Sequence, residues 1–325
     1  MTLNAQTVAV VQEGRGTVVI FPATDPSRQT TVHVGEKPHE IEVTPDGRTA
    51  FVSNFGLLEA NHKAGTPGTT ISVVDIDRLV ERERFKMPAG FTAPHGLKLR
   101  PPKYHELFTN AEEGREAMIV FDAGSGAVLR TFPLPPGVHN FLFNSSGSAL
   151  FAFTTKGQAC RIDPESGKIL AEVETGSPRG LAWTADRRYL IVSGKGELLL
   201  LDPQDLSVIR RFDKLGVGQI FYPAATADGK WILAPAVLDG VVLVIDASTG
   251  AVSHRIETGS PLLIAFEADG KHAWISNVHI PAGLFGPSTQ LREGGLVRLD
   301  LTTFTTTDGV AGIPDTNGIA VTSRQ

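Results

Sequence analysis

A single cysteine, Cys160, stands in a chain of 325 residues, so no disulfide can form within it. A reducing compartment fits that usage without being required by it. No apolar run is long enough to span a membrane as a helix, so no membrane partner is expected. The opening Met1-Thr2-Leu3-Asn4-Ala5 lacks a basic segment followed by an apolar one, so a secretory leader is not expected and a cytoplasmic location is. Basic residues form no block: 30 Lys and Arg are interspersed with 35 Asp and Glu, for a net charge of −5. A nucleic-acid partner, which would need a basic patch, is therefore not expected. No low-complexity tract, linker or shift of composition divides the chain, so one domain over residues 1–325 is expected although the length would admit two. Familiar catalytic signatures are missing too. There is no Gly-rich phosphate loop, no nucleophile elbow and no His-Glu-x-x-His.

What is present is a repeat. A short β segment leads to a tight turn, then to a branched or aromatic β segment, then to a third segment ending in Asp, then to a fourth. Thr44-Pro45-Asp46-Gly47, Thr184-Ala185-Asp186, Thr226-Ala227-Asp228-Gly229 and Glu267-Ala268-Asp269-Gly270 are copies of the turn. Asp-Gly favours a tight hairpin because glycine accepts positive φ. The Asp closing each third segment, as at Asp75, Asp122, Asp163, Asp202, Asp246 and Asp300, recurs too regularly to be a site and reads as turn chemistry. Units of roughly 40–45 residues with four strands have the spacing of propeller blades. Six first strands begin near residues 39, 95, 139, 179, 221 and 262, and a seventh, Asn317–Val321, stands alone at the C-terminus. The first forty residues supply three strands without a first one. The expected fold is thus all-β: a seven-bladed β-propeller of four-stranded blades, its ring closed by the C-terminal strand joining the N-terminal ones.

The segments PHEIEVTPDGRTAFVSN, SPRGLAWTADRRYLIVS and TGSPLLIAFEADGKHAWISN resemble YVTN-type propeller repeats, and the resemblance runs over nearly the whole chain. It implies the propeller fold. It also implies kinship with a group that includes lactonases and lyases, without carrying over any complete catalytic set. The acid-and-amide ring of calcium-binding gluconolactonase-like propellers is not matched; Asn317 alone occupies a compatible position.

Aligning the copies on their turns puts one residue per blade at the channel mouth: Asn317, His39, His95, His139, Arg179, Phe221 and Leu262. Histidine thus holds the same place in three consecutive blades. Three imidazoles meeting at one point would form a three-nitrogen set for a divalent transition metal with an open position for water or substrate. The competing reading has each histidine capping a strand entry. Two long connections, Phe55–Thr69 and Val278–Gly295, are expected on the same face, each bringing a histidine, His62 and His279; a shorter insertion, Ala111–Glu116, adds Glu112. Long loops gathered on one face usually serve binding. His62, His279, Glu112, Asn317, Phe221 and Tyr222 are the expected substrate contacts; His39, His95, His139 and Arg179 are the expected catalytic centre. Glu40 and Glu42, beside His39, are candidates to orient an imidazole or act as base.

The first functional expectation is a monomeric small-molecule enzyme, a lyase or hydrolase of lactonase type, with a metal or general-base centre. The alternatives are a non-catalytic propeller for peptide or protein binding, or a metal sensor. The long loops offer only Phe55 and Phe285 as aromatic docking groups, which weighs against peptide binding.

Overall fold

The computed structural model describes residues 6–58, 61–307 and 309–323. It holds seven four-stranded antiparallel sheets arranged as the blades of a propeller. Blade 1 joins Thr30–His33, Thr17–Pro22 and Gln6–Gln12 to the C-terminal strand Thr316–Ser323. Blades 2 to 7 follow in chain order, and their inner strands open at Pro38, Phe91, Val138, Gly180, Ala224 and Pro261. Among the described residues no helix is long and apolar enough to cross a membrane.

The sequence pattern explains the burial. Middle strands such as Leu198–Leu201 and Leu150–Thr154 are buried at every position, because both faces pack on a neighbouring blade. Outer strands such as Val208–Phe212 are exposed at all but one position. The core therefore lies between blades: Val18 and Ile20 of blade 1 pack with Ala50, Val52 and Val74 of blade 2. Phe21 of blade 1 meets Trp274 of blade 7 edge-on at 5.3 Å.

The repeated turns are held by their own side chains. The Thr44 hydroxyl donates to Asp46 at 2.6 Å and accepts the Thr49 N–H. The same bonds recur at Thr184 with Asp186 and at Thr226 with Asp228. The Asp closing each third strand accepts the N–H groups of the following turn, as Asp246 does from Ser248 and Thr249.

Closure follows the expected pairing. Val8 faces Val321, Ala9 faces Ala320 and Val10 faces Ile319, antiparallel.

Two expectations need correction. The inner strand of blade 6 is only Ala224–Ala225, beginning after Phe221 rather than at it. Pro223, just before this strand, and Pro235, on its partner, have no N–H to give, so the ladder there is thin. Nor is Ala111–Glu116 a loop insertion: the second strand of blade 3 runs from Glu106 to Gly114, and Thr92 and Phe91 pair with Glu113 and Gly114. Glu112 is thereby carried on a strand.

Candidate metal centre and its pocket

The inner strands of blades 2, 3 and 4 each slip register at their histidine, between Pro38 and Ile41, Pro94 and Leu97, and Val138 and Asn140. Such a bulge re-aims the side chain beside it. His39, His95 and His139 form a row of buried rings, with centroids 4.1 Å apart for the first pair and 4.0 Å for the second. Asn110 ties the last two together: its Oδ1 accepts the Gly96 N–H at 2.8 Å and its Nδ2 donates to the Val138 carbonyl at 3.1 Å. A Cβ at position 96 would lie 2.8 Å from Asn110 Oδ1 and 2.9 Å from Asn140 Oδ1, so any larger residue would displace the amides that hold these strands.

The fourth histidine comes from the long loop of blade 2. Its residues Leu57–Leu58 and Asn61–Gly65 form a small hairpin that brings the His62 ring to 5.4 Å from that of His139 and 6.0 Å from that of His95. His62, His95 and His139 each offer one nitrogen, and these lie within 4.8 Å of one another. A metal with bonds of about 2.1 Å holds its nitrogens about 3–4 Å apart. His39 is not in this group. Its ring packs, tilted, against His95 at 4.1 Å, and the nitrogens that lie close enough to share an ion are those of His62, His95 and His139 rather than the expected His39, His95 and His139.

Glu112 is the hub of the three rings. Its Oε1 lies 2.8 Å from His139 Nδ1 and 3.7 Å from His95 Nδ1, and its Oε2 lies 3.5 Å from His62 Nδ1. Burial alone would raise its carboxyl, but the His95 and His139 imidazoles, with the bonds to His139 and His62, hold it well below the usual carboxylate range. A carboxylate at an imidazole Nδ1 fixes the tautomer of the ring.

Beneath the rings sits Phe55, fully buried, with its centroid 4.9 Å from His95, 5.0 Å from His62 and 5.3 Å from His39. It is a wedge that sets ring orientation, not the exposed docking aromatic its loop position suggests. The neck of the hairpin is closed by Gly68, where a Cβ would collide with the Asn54 carbonyl oxygen.

Beside the rings lies a pocket of about 400 Å³. His62 and His139 form one wall; Arg179 and Phe221 stand in another; Val278, Ile280 and Phe285 from the blade 7 loop close the third. Both long loops therefore border one pocket. Tyr222 is buried behind the wall, packed with Phe153, Val237 and Leu262. His279 points elsewhere: its backbone N–H and its imidazole act on Asp315, at the junction with blade 1. Asn317 is fully buried, and its amide has no hydrogen-bond partner among the described residues. Further along the inner strands, Glu40 accepts from Asn140 at 3.0 Å, and Lys98 Nζ lies 3.6 Å from Glu40 and 3.8 Å from Glu42. Burial raises the Glu42 carboxyl, against the pull of Lys98. These acids are engaged with Lys98 and Asn140 in the channel wall. The pocket walls at Val237, Leu238, Gln219 and Thr155 had no signal in the sequence beyond lying in top-face connections.

No family model matches the chain. A curated relative, dihydro-heme d1 dehydrogenase of Pseudomonas aeruginosa, is 28% identical over 152 residues. That match spans 44% of this chain and 29% of the relative. A functionally unknown protein from Desulfotomaculum acetoxidans superposes with a TM-score of 0.74 at 13% identity, covering 98% of this chain and 99% of its own. That likeness carries the seven-bladed propeller fold and nothing about activity.

Proposed function

We propose that the protein is an enzyme acting on a small molecule in the top-face pocket, with His62, His95 and His139 holding a divalent transition metal. One observation carries the reading: three imidazoles and a carboxylate converge at the edge of a largely apolar pocket, where two long loops meet. When bound, the metal would supply Lewis-acid chemistry, suited to hydrolysis or elimination such as lactone opening. Glu112 holds the rings in one tautomer and offsets part of the cation's charge. Phe55 and Phe153 pack against the rings and keep water from their backs. The relative named as a dehydrogenase supports an enzymatic role over pure binding.

A second reading is favoured by the 2.8 Å bond between His139 and Glu112. With no metal, that pair is a general base, Glu112 orienting the ring and His139 Nε2 taking a proton from a molecule in the pocket.

The test is elemental analysis of untagged protein, then turnover on a panel of lactones and activated esters before and after chelation. Stoichiometric metal and chelator-sensitive turnover are expected. Binding should weaken as pH falls through the imidazole range, because only neutral imidazole ligates. Turnover that survives chelation selects the general base. Absence of both metal and turnover overturns the proposal.

A further inference from the structure

Arg179 is the only lysine or arginine among the residues lining the pocket. Its guanidinium is half-buried, yet among the described residues its one hydrogen bond is a long 3.4 Å contact to the carbonyl of its own neighbour, Pro178. No carboxylate lies within ion-pair distance of it among the described residues. Other half-buried arginines are better engaged: Arg100 and Arg130 pair with Glu106 and Arg298 with Glu267, while Arg292 donates to three backbone carbonyls and Arg161 to that of Gln204 at 3.1 Å. Gln219, beside Arg179, is used up on Ser177 and Ile220. A partly desolvated cation facing an apolar pocket with no counter-ion is costly to keep, and an anion would relieve that cost. A planar guanidinium suits a carboxylate, which it can bind through two parallel hydrogen bonds.

Apart from the two histidines, Thr155 and Gln219, the rest of the pocket is apolar. Phe221, Leu262, Val278 and Ile280 line it, and Leu238 and Phe285 stand at the rim, 43% and 54% exposed. A volume of about 400 Å³ suits a molecule of drug size or smaller. One charge, an apolar body and a reactive edge at His62 and His139 describe one chemical class of ligand.

Resting on the reading of this pocket as a substrate site, we infer that its ligand is an apolar monocarboxylate. Its carboxylate pairs with Arg179, and its hydrocarbon body lies against Phe221, Leu262 and Ile280. Arg179 is on this inference a specificity-determining residue.

The probe is 4-phenylbutanoate, compared with the isosteric 4-phenylbutanamide. Binding is measured by calorimetry on the full chain dialysed against chelator, near pH 8. No metal then competes for the carboxylate. The expected result is at least ten-fold tighter binding of the acid than of the amide. Arg179→Gln should bring the acid down to the level of the amide, and Arg179→Lys should restore part of the difference. Circular dichroism of each variant confirms folding. Should the acid and the amide bind equally, or neither bind, or Arg179→Gln leave the preference intact, the inference is overturned. Since the readout is metal-free binding, it stands or falls apart from the metal analysis and turnover that test the proposed chemistry.

Discussion

His39 and His62 differ in one respect that decides their roles. His39 begins an inner strand and packs against His95; His62 arrives on a hairpin and lies close to both His95 and His139. His62→Ala should therefore lower metal affinity by a hundred-fold or more, while His39→Ala should change it by no more than a few-fold. Titration against a chromogenic chelator measures both. The reverse order of effects would restore the row of His39, His95 and His139 as the ligand set. The sequence showed that His95 and His139 are equivalent, and equivalence in a repeat predicts the height of a Cα in the channel. It does not predict the direction of a side chain. Three bulges turn those side chains, and a bulge has no residue signature here beyond a proline in two of the three.

Between strands, one buried acid joins two blades. Glu106 on blade 3 binds Arg130 through both its oxygens and also Arg100, and both arginines reach Glu165 on blade 4. The hydrogen bonds from Arg130, opposed by burial and helped by Arg100, lower the Glu106 carboxyl to about 2. A carboxyl depressed in the folded state stabilises above its unfolded value of about 4.5, and that contribution is lost as pH falls toward the folded value. Glu106→Gln should thus cost about 2 kcal/mol near neutrality, an order-of-magnitude figure for breaking such a network. In urea melts the gap from wild type should narrow steadily between about pH 5 and about pH 3. A gap independent of pH would mean that packing, not charge, is lost. The individual acids and bases are visible in the chain, but their pairing is not, because Glu106 and Glu165 come from different repeats.

The ring as a whole depends on its last strand. Val321, Ala320 and Ile319 pair with the first strand of the chain, and the core behind them joins Val8, Val10 and Phe21 to Trp274 of blade 7. Removing residues 315–325 would bare a strand edge and uncover this core. Loss of the cooperative melting transition is expected, with a change in tryptophan emission because Trp274 becomes wet. A truncated chain with an unchanged transition would rule out closure as the source of stability.

Blade number, blade order and the mode of closure follow from the chain alone. They are carried by short-range chemistry: Thr-x-Asp turns, third strands ending in Asp, and middle strands that are mostly apolar because both their faces are covered. Each of these acts within about fifty residues and repeats, so any one copy corroborates the others. The site belongs to the tertiary structure. His62, His95, Glu112 and His139 meet only when three blades and a hairpin are in place, and the pocket beside them needs walls from blades 4 to 7. Side chains converge there across blade boundaries, and nothing in the local sequence of one blade encodes which way its neighbour's side chains point.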